Sequence, residues 1–266
     1  MAPHDQWLPE GYSTKWSKAW LDNAERHGVA PQVVVEIARW HGITPHRFGV
    51  LDKMAEIKDP DGKSFFLVPP RTRGDDVRTA VLMTYIVNAG TGYGKAGKHR
   101  GDFPATPYSA AEITRIINRQ NANSWTYTRD VGFVDRNGGR LVTTPNGMLM
   151  GLGGNWIQQQ FTRRGGTTWG DIFMVNLGKL ADPAAQLRQI VQSGHAWYVD
   201  GRGNRFESSL VLDRVLHHEE RHSQQWAAKG YAGMLRGYSW ELIRQWVFGK
   251  SNRLEEDAGL ADGGYR

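Results

Sequence analysis

The chain has 266 residues, 39% of them hydrophobic and 23% charged, proportions of an ordinary globular protein long enough for one large domain or two small ones. It contains no cysteine, which excludes disulfides and thiolate metal ligands, so any metal site has to be built from histidine and carboxylate. The net charge of +6, from 33 basic against 27 acidic residues, is a mild excess without a dense basic run; solubility accounts for it.

No stretch approaches the roughly 20 apolar residues of a membrane span. The start, Met1 to Trp7, lacks a basic segment followed by an apolar run. A cytoplasmic protein is therefore expected, with export by a machinery that does not read such signals as the alternative. The 11 tryptophans are scattered through amphipathic segments, which points to core packing rather than to a stacking platform.

Ser13 to His27 reads as a first helix capped by Ser13, with Trp16, Trp20 and Leu21 on one side. Pro31 opens a second, through Val33, Val34, Ile37 and Ala38, which Gly42 ends. Two short helices around a glycine turn suggest a helix-turn-helix DNA reader. The second helix, however, offers base edges only Gln32 and Arg39, so nucleic acid is not an expected partner. Asp59-Pro-Asp-Gly62 is a turn leading into a strand from Ser64 to Pro69, and Asp75 to Asn88 is helical. The loop from Ala89 to Lys98 is rich in glycine and lysine but lacks the spacing of a phosphate-binding loop. Ser109 to Asn121 forms a helix with Ser109 and Glu112 as a capping box.

Strands follow. Val131 to Asp135 and Arg140 to Thr144 read as a hairpin around Asn137-Gly138. Gly147 to Gly154 is not assigned, and a helix is expected around Asn155 to Phe161. Thr167 to Asn176 reads as one buried strand and Pro183 to Gln192 as a helix. His195 to Asp200 and Arg205 to Glu207 form a second hairpin.

The richest segment runs from Val215 to Trp226 and contains His-Glu-x-x-His from His218 to His222. On a helix, positions four apart lie one above the other, so both imidazoles can share one metal ion, with Glu219 beside them as general base. Val211, Val215, His218, His222 and Trp226 follow a helical period, and Gly230 is a plausible stop. His217 sits about 100° away and is assigned a supporting or surface role. The competing reading is a solvated helix whose acids and histidines pair with Arg214 and Arg221. That reading leaves two histidines facing the core without a purpose.

With Asn252 to Gly259 downstream, the pattern resembles a zincin metallopeptidase of the gluzincin type, in which a glutamate on a later helix completes the zinc shell. Gln225 and Trp226 match small bacterial proteins of this kind, and the resemblance covers roughly residues 167 to 264. It implies an α+β protein with a minimal zincin-like core, a small sheet backing the His-Glu-x-x-His helix, after a mainly helical N-terminal region. The regions are 1–128, of no assigned role, and 129–266, catalytic, and the two can pack as one unit. Zinc would be held by His218, His222 and Glu255, with Glu256 as the alternative third ligand. Asn252 and Glu255 also read as a helix cap, and Gly259 stands where the family places an acid, a role open to Asp257 or Asp262. Glu219 would be the base in cleaving peptide or protein substrates. Tyr231, Tyr238, His195 and Tyr265 are the candidate donors to the oxyanion. The alternative is a non-catalytic binding or structural protein with a structural or lost metal site.

Overall fold

The computed structural model describes residues 12–92, 108–154 and 166–248, with side chains described up to residue 233. The N-terminal region begins with α1 (Lys15–Arg26), α2 (Pro31–Trp40) and the short α3 (Pro45–Phe48). The apolar stripe expected of α1 is buried at Trp16, Trp20 and Leu21; that of α2 is buried at Val34, Ile37 and Ala38, with Val33 only partly covered. The cap of α1 is Thr14 rather than Ser13. Its carbonyl accepts the Lys18 amide at 2.9 Å and the Ser17 hydroxyl at 3.1 Å.

The strands β1 (Ala55–Lys58) and β2 (Ser64–Leu67) pair antiparallel across the Asp59–Gly62 turn. The helix α4 (Gly74–Val87) follows, apolar on most sides because it is enclosed. Asn88 seals its end against β2, its amide oxygen accepting from Ser64 N at 2.7 Å and its amide nitrogen donating to Ser64 O at 2.8 Å. The helix α5 (Ala110–Ala122) is capped as expected, Ser109 Oγ accepting from Glu112 N at 3.1 Å. A π-helical turn, Thr126–Asp130, then leads into α6 (Val131–Arg136).

Here the expected hairpin fails. Val131 and Val134, three apart, both face the core, and Asn137-Gly138 is a helix stop, not a hairpin turn. Gly138 takes φ 81°, and the Gly139 amide donates back to Val134 O at 2.9 Å, the left-handed ending that glycine favours. Only β3 (Arg140–Thr143) of that pair is a strand; its partners are β2 and β4 (Leu149–Leu152), inside the segment left unassigned. The helix expected at Asn155 to Phe161 lies outside the described residues.

The long strand expected from Thr167 to Asn176 is two strands, β5 (Gly166–Trp169) and β6 (Ile172–Val175), folded back at Gly170-Asp171. Gly170 adopts φ 60° while Asp171 does not have positive φ, as a type II′ turn requires. A Cβ on Gly170 would meet Thr126 Oγ1 at 2.2 Å, so this turn is pressed against the π-helical segment. The helix α7 (Pro183–Ser193) and the hairpin β7 (His195–Val199) and β8 (Arg205–Val211) follow as expected. β8 runs directly into α8 (Leu212–Phe248), which breaks at Gly230, where φ is 67° and ψ 167°.

The fold is α+β. Strands from both sides of residue 128 form one six-stranded sheet, order β1-β2-β3-β4-β6-β5, antiparallel except for the parallel β4–β6 pair. Both faces are covered, so successive residues enter different cores. Phe66, Leu141 and Ile172 join the N-terminal helices and α4, whereas Phe65, Val142 and Phe173 join α7 and the start of α8. Among the described residues no helix is long and apolar enough to cross a membrane.

One buried ion pair ties these layers together. Lys63 Nζ, on the β1–β2 turn, lies 2.5 Å from Asp213 Oδ2 in the first turn of α8 and 3.7 Å from Asp59 Oδ2. Burial works against the ammonium, but Asp213 and Asp59 outweigh it and raise its pKa above the ordinary 10.5. Lys63→Met should cost about 3–5 kcal/mol, because it leaves Asp213 buried without its cation. A group whose pKa is raised by folding contributes its stability fully below the unfolded value and loses it as pH rises through the folded one. In urea titrations the wild type should therefore lose stability above pH 10.5 more steeply than Lys63→Met.

Candidate metal centre

The first segment of α8 forms because one side of it completes the second core: Leu212, Val215 and Leu216 pack with Leu187 and Ile190 of α7. Glu219, Ser223 and Trp226 then follow at i, i+4 and i+7, which places them on one stripe. All three bond to the β5–β6 hairpin. Thr168 Oγ1 donates to Glu219 Oε2 at 2.7 Å, Ser223 Oγ to Asp171 Oδ1 at 2.5 Å, and Trp226 Nε1 to Thr168 O at 3.0 Å. The helix is stitched along the edge strand of the sheet, and at Thr168 the carbonyl of that edge is already taken.

Asp171 anchors the stitching. It is fully buried, and besides Ser223 its carboxylate accepts from Asn123 Nδ2 at 2.9 Å and Tyr127 OH at 2.8 Å, with Arg119 Nε 3.4 Å away. Burial and the Asp171 charge hold the Tyr127 phenol far above its ordinary value, so it remains a donor. On the next face of α8, Glu220 Oε1 receives Arg119 Nη1 at 2.8 Å and also pairs with Arg115. Asn146, in the β3–β4 turn, donates to Leu216 O at 2.7 Å. Three separate pieces of chain thus fix this helix in rotation and height.

The two histidines lie on the remaining side. His218 Nε2 and His222 Nε2 are 3.0 Å apart, with their rings nearly perpendicular at 80°. Tetrahedral zinc with bonds of about 2.0–2.1 Å would set two ligand nitrogens roughly 3.3 Å apart, so a small opening of this pair admits one ion. His222 Nδ1 lies 3.0 Å from Gln225 Oε1. An amide oxygen only accepts, so Nδ1 is the protonated nitrogen and Nε2 carries the lone pair that a metal needs. The pair brings together two nitrogens of the kind zinc takes. Among the described residues, however, no group of three or more His, Asp or Glu is placed to hold a metal ion. Glu255, Glu256, Asp257, Asp262 and Tyr265 lie outside the described residues, as does the side chain of Tyr238.

The other sequence candidates are dispersed. His217 is buried rather than at the surface, with 5% of its area exposed. His195 Nδ1 sits 2.8 Å from Glu207 Oε1 on the β7–β8 hairpin, in a contact whose angles do not make a hydrogen bond. Arg214 is buried too, so the segment is not the solvated helix of the competing reading. Tyr231 joins Trp125, Trp169 and Trp226 in an aromatic cluster with centroid separations of 4.8 to 6.2 Å, and the Arg129 guanidinium lies 4.9 Å from its ring.

Sequence reasoning missed Thr168, Asp171 and Tyr198. Tyr198 on β7 is half-buried against the start of α8, and burial, then the nearby Glu219 charge, push its phenol up. The Gly170-Asp171 pair inside an apolar run was the available signal for the hairpin. No family model matches the chain, and comparisons with curated proteins and with solved structures give no match either.

Asp171→Ala should destabilise the protein by about 3–5 kcal/mol, since it strands the buried Asn123, Tyr127 and Ser223 donors together and removes the counter-charge beside Arg119. Ser223→Ala, which removes one of the donors, should cost about 1–3 kcal/mol. Denaturant titration checks both, and equal, small losses would contradict the anchoring role.

Proposed function

We propose that the chain is a zinc-dependent hydrolase, a metallopeptidase with a zincin-like core that acts on peptide or protein substrates. The observation that carries the reading is the facing pair of Nε2 atoms at 3.0 Å, with Glu219 adjacent on the same rigid helix. His218, His222 and Glu255 would hold the metal. Bound zinc supplies a Lewis-acid charge and a water that ionises near pH 7. Glu219 accepts a proton from the attacking water and delivers it to the leaving amine. Gln225 keeps His222 in the tautomer whose Nε2 is unprotonated. Tyr198, half-buried on β7 beside the start of α8, is a further phenol to test as donor to the oxyanion.

A second reading also has an observation behind it. A separation of 3.0 Å suits an N–H···N hydrogen bond between two neutral imidazoles, and Thr168 already occupies one oxygen of Glu219. On that reading the chain is a non-catalytic binding or structural protein, with a structural or lost metal site.

Metal analysis separates them. The purified, zinc-reconstituted protein should carry one zinc per chain, lost or weakened in His218→Ala and in Glu255→Ala. Glu219→Gln should retain the metal and lose hydrolysis of labelled casein by about 10²-fold or more. No zinc after reconstitution removes the hydrolase; zinc with no hydrolysis by the wild type favours the structural reading. Gln225→Leu should weaken zinc affinity about 10–100-fold without unfolding the chain, measured by competition with a chromophoric chelator.

A further inference from the structure

We propose that Thr168 is a positioning residue for Glu219: its hydroxyl holds one carboxylate oxygen so that the other is presented for proton transfer. This rests on the hydrolase reading and deepens it. The bond is 2.7 Å, Thr168 is 6% exposed and Glu219 9%, so it forms away from competing water. Among the described residues Thr168 is the hydrogen-bond partner of this carboxylate, and Oε1 is left without one.

What makes Thr168 suited to this is that its backbone is held on both sides. Its carbonyl is held by Trp226 Nε1 at 3.0 Å, one stripe position beyond Ser223. Two residues of type II′ turn separate its strand from β6, and Asp171 of that turn is bound to Ser223 at 2.5 Å. A β-branched side chain has few χ1 choices on such a fixed backbone, so the hydroxyl is delivered to one place. A free glutamate on a helix samples several rotamers, and proton transfer requires one of them, so holding one oxygen removes an ordering cost from the reaction. The donor also has the right character. A hydroxyl cannot neutralise the carboxylate as a lysine or arginine would, so Glu219 is oriented without becoming half of an ion pair.

The test compares wild type, Thr168→Val, Thr168→Ser and Glu219→Gln, all zinc-loaded, by zinc content and by kcat and KM on fluorescein-labelled casein. Valine keeps the branched shape and strand preference and removes only the hydroxyl; serine returns the hydroxyl without the methyl. Thr168→Val should keep its zinc and its KM and lose about tenfold or more in kcat, and Thr168→Ser should recover most of that loss. Alongside, a stability cycle of Thr168→Val with Glu219→Ala in metal-free protein should show coupling of roughly tenfold in the unfolding constant, the strength of a hydrogen bond to a charged group. A wild-type kcat in Thr168→Val overturns the positioning role and leaves the hydrolase standing. Thr168→Ser as slow as Thr168→Val also overturns it, because packing by the methyl would then be what matters. A zinc-loaded wild type that cleaves no casein removes the hydrolase reading and the positioning role together, leaving the coupling as a purely structural bond.

Discussion

The burial of the Asp171 carboxylate is the constraint on which the rest depends. A fully buried acid is tolerated only when its oxygens are satisfied, and here the donors come from three places: α5 and the turn after it, the π-helical segment, and α8. Satisfying one carboxylate therefore brings three pieces of chain to a single point. Gly170 beside it has no side chain because Thr126 and Trp125 leave no room for one. Once that point is fixed, the stripe of α8 that carries Ser223 has to face the hairpin. Glu219 and Trp226, one turn before and one after, meet Thr168 as a consequence.

The geometry of the histidines follows from this rotation. With Glu220 held by Arg115 and Arg119 on one side and Glu219 by Thr168 on the next, His218 and His222 are turned to a third side, His218 buried and His222 half-buried. Neither imidazole has to be steered by its own contacts alone. Gln225 then sets the tautomer of His222. The charged groups nearest the site are thus divided in function. Arg119, Glu220 and Asp171 hold the helix, and their charges are spent on one another, which leaves Glu219 with a neutral partner.

Much of this was legible in the sequence, and the reasons for the failures are physical. Helices with a clear apolar stripe or a capping residue, such as α1, α2, α5 and α7, are where periodicity places them. The stop at Gly230 was legible as well. The errors fall where every residue is buried. From Leu149 to Leu152 and from Ile172 to Val175 both faces of the sheet are covered, so alternation disappears and a hairpin reads as one long strand. Val131 to Gly138 failed for another reason: an Asn-Gly pair ends helices as readily as it turns hairpins, and local sequence does not choose. At the site, the face shared by His218 and His222 was predictable from a four-residue spacing. Thr168 and Asp171 were not, because they reach α8 from about fifty residues away and belong to no local pattern.

The measurement that bears most directly on the metal centre is X-ray absorption at the zinc edge of the zinc-loaded protein. The proposed centre predicts a four-coordinate ion with two imidazole nitrogens at about 2.0–2.1 Å and lighter oxygen scatterers completing the shell, reduced to one imidazole in His222→Ala. A six-coordinate, all-oxygen shell with no imidazole scattering, unchanged by that substitution, would mean that zinc binds elsewhere on the surface and that the two histidines only hydrogen-bond to each other.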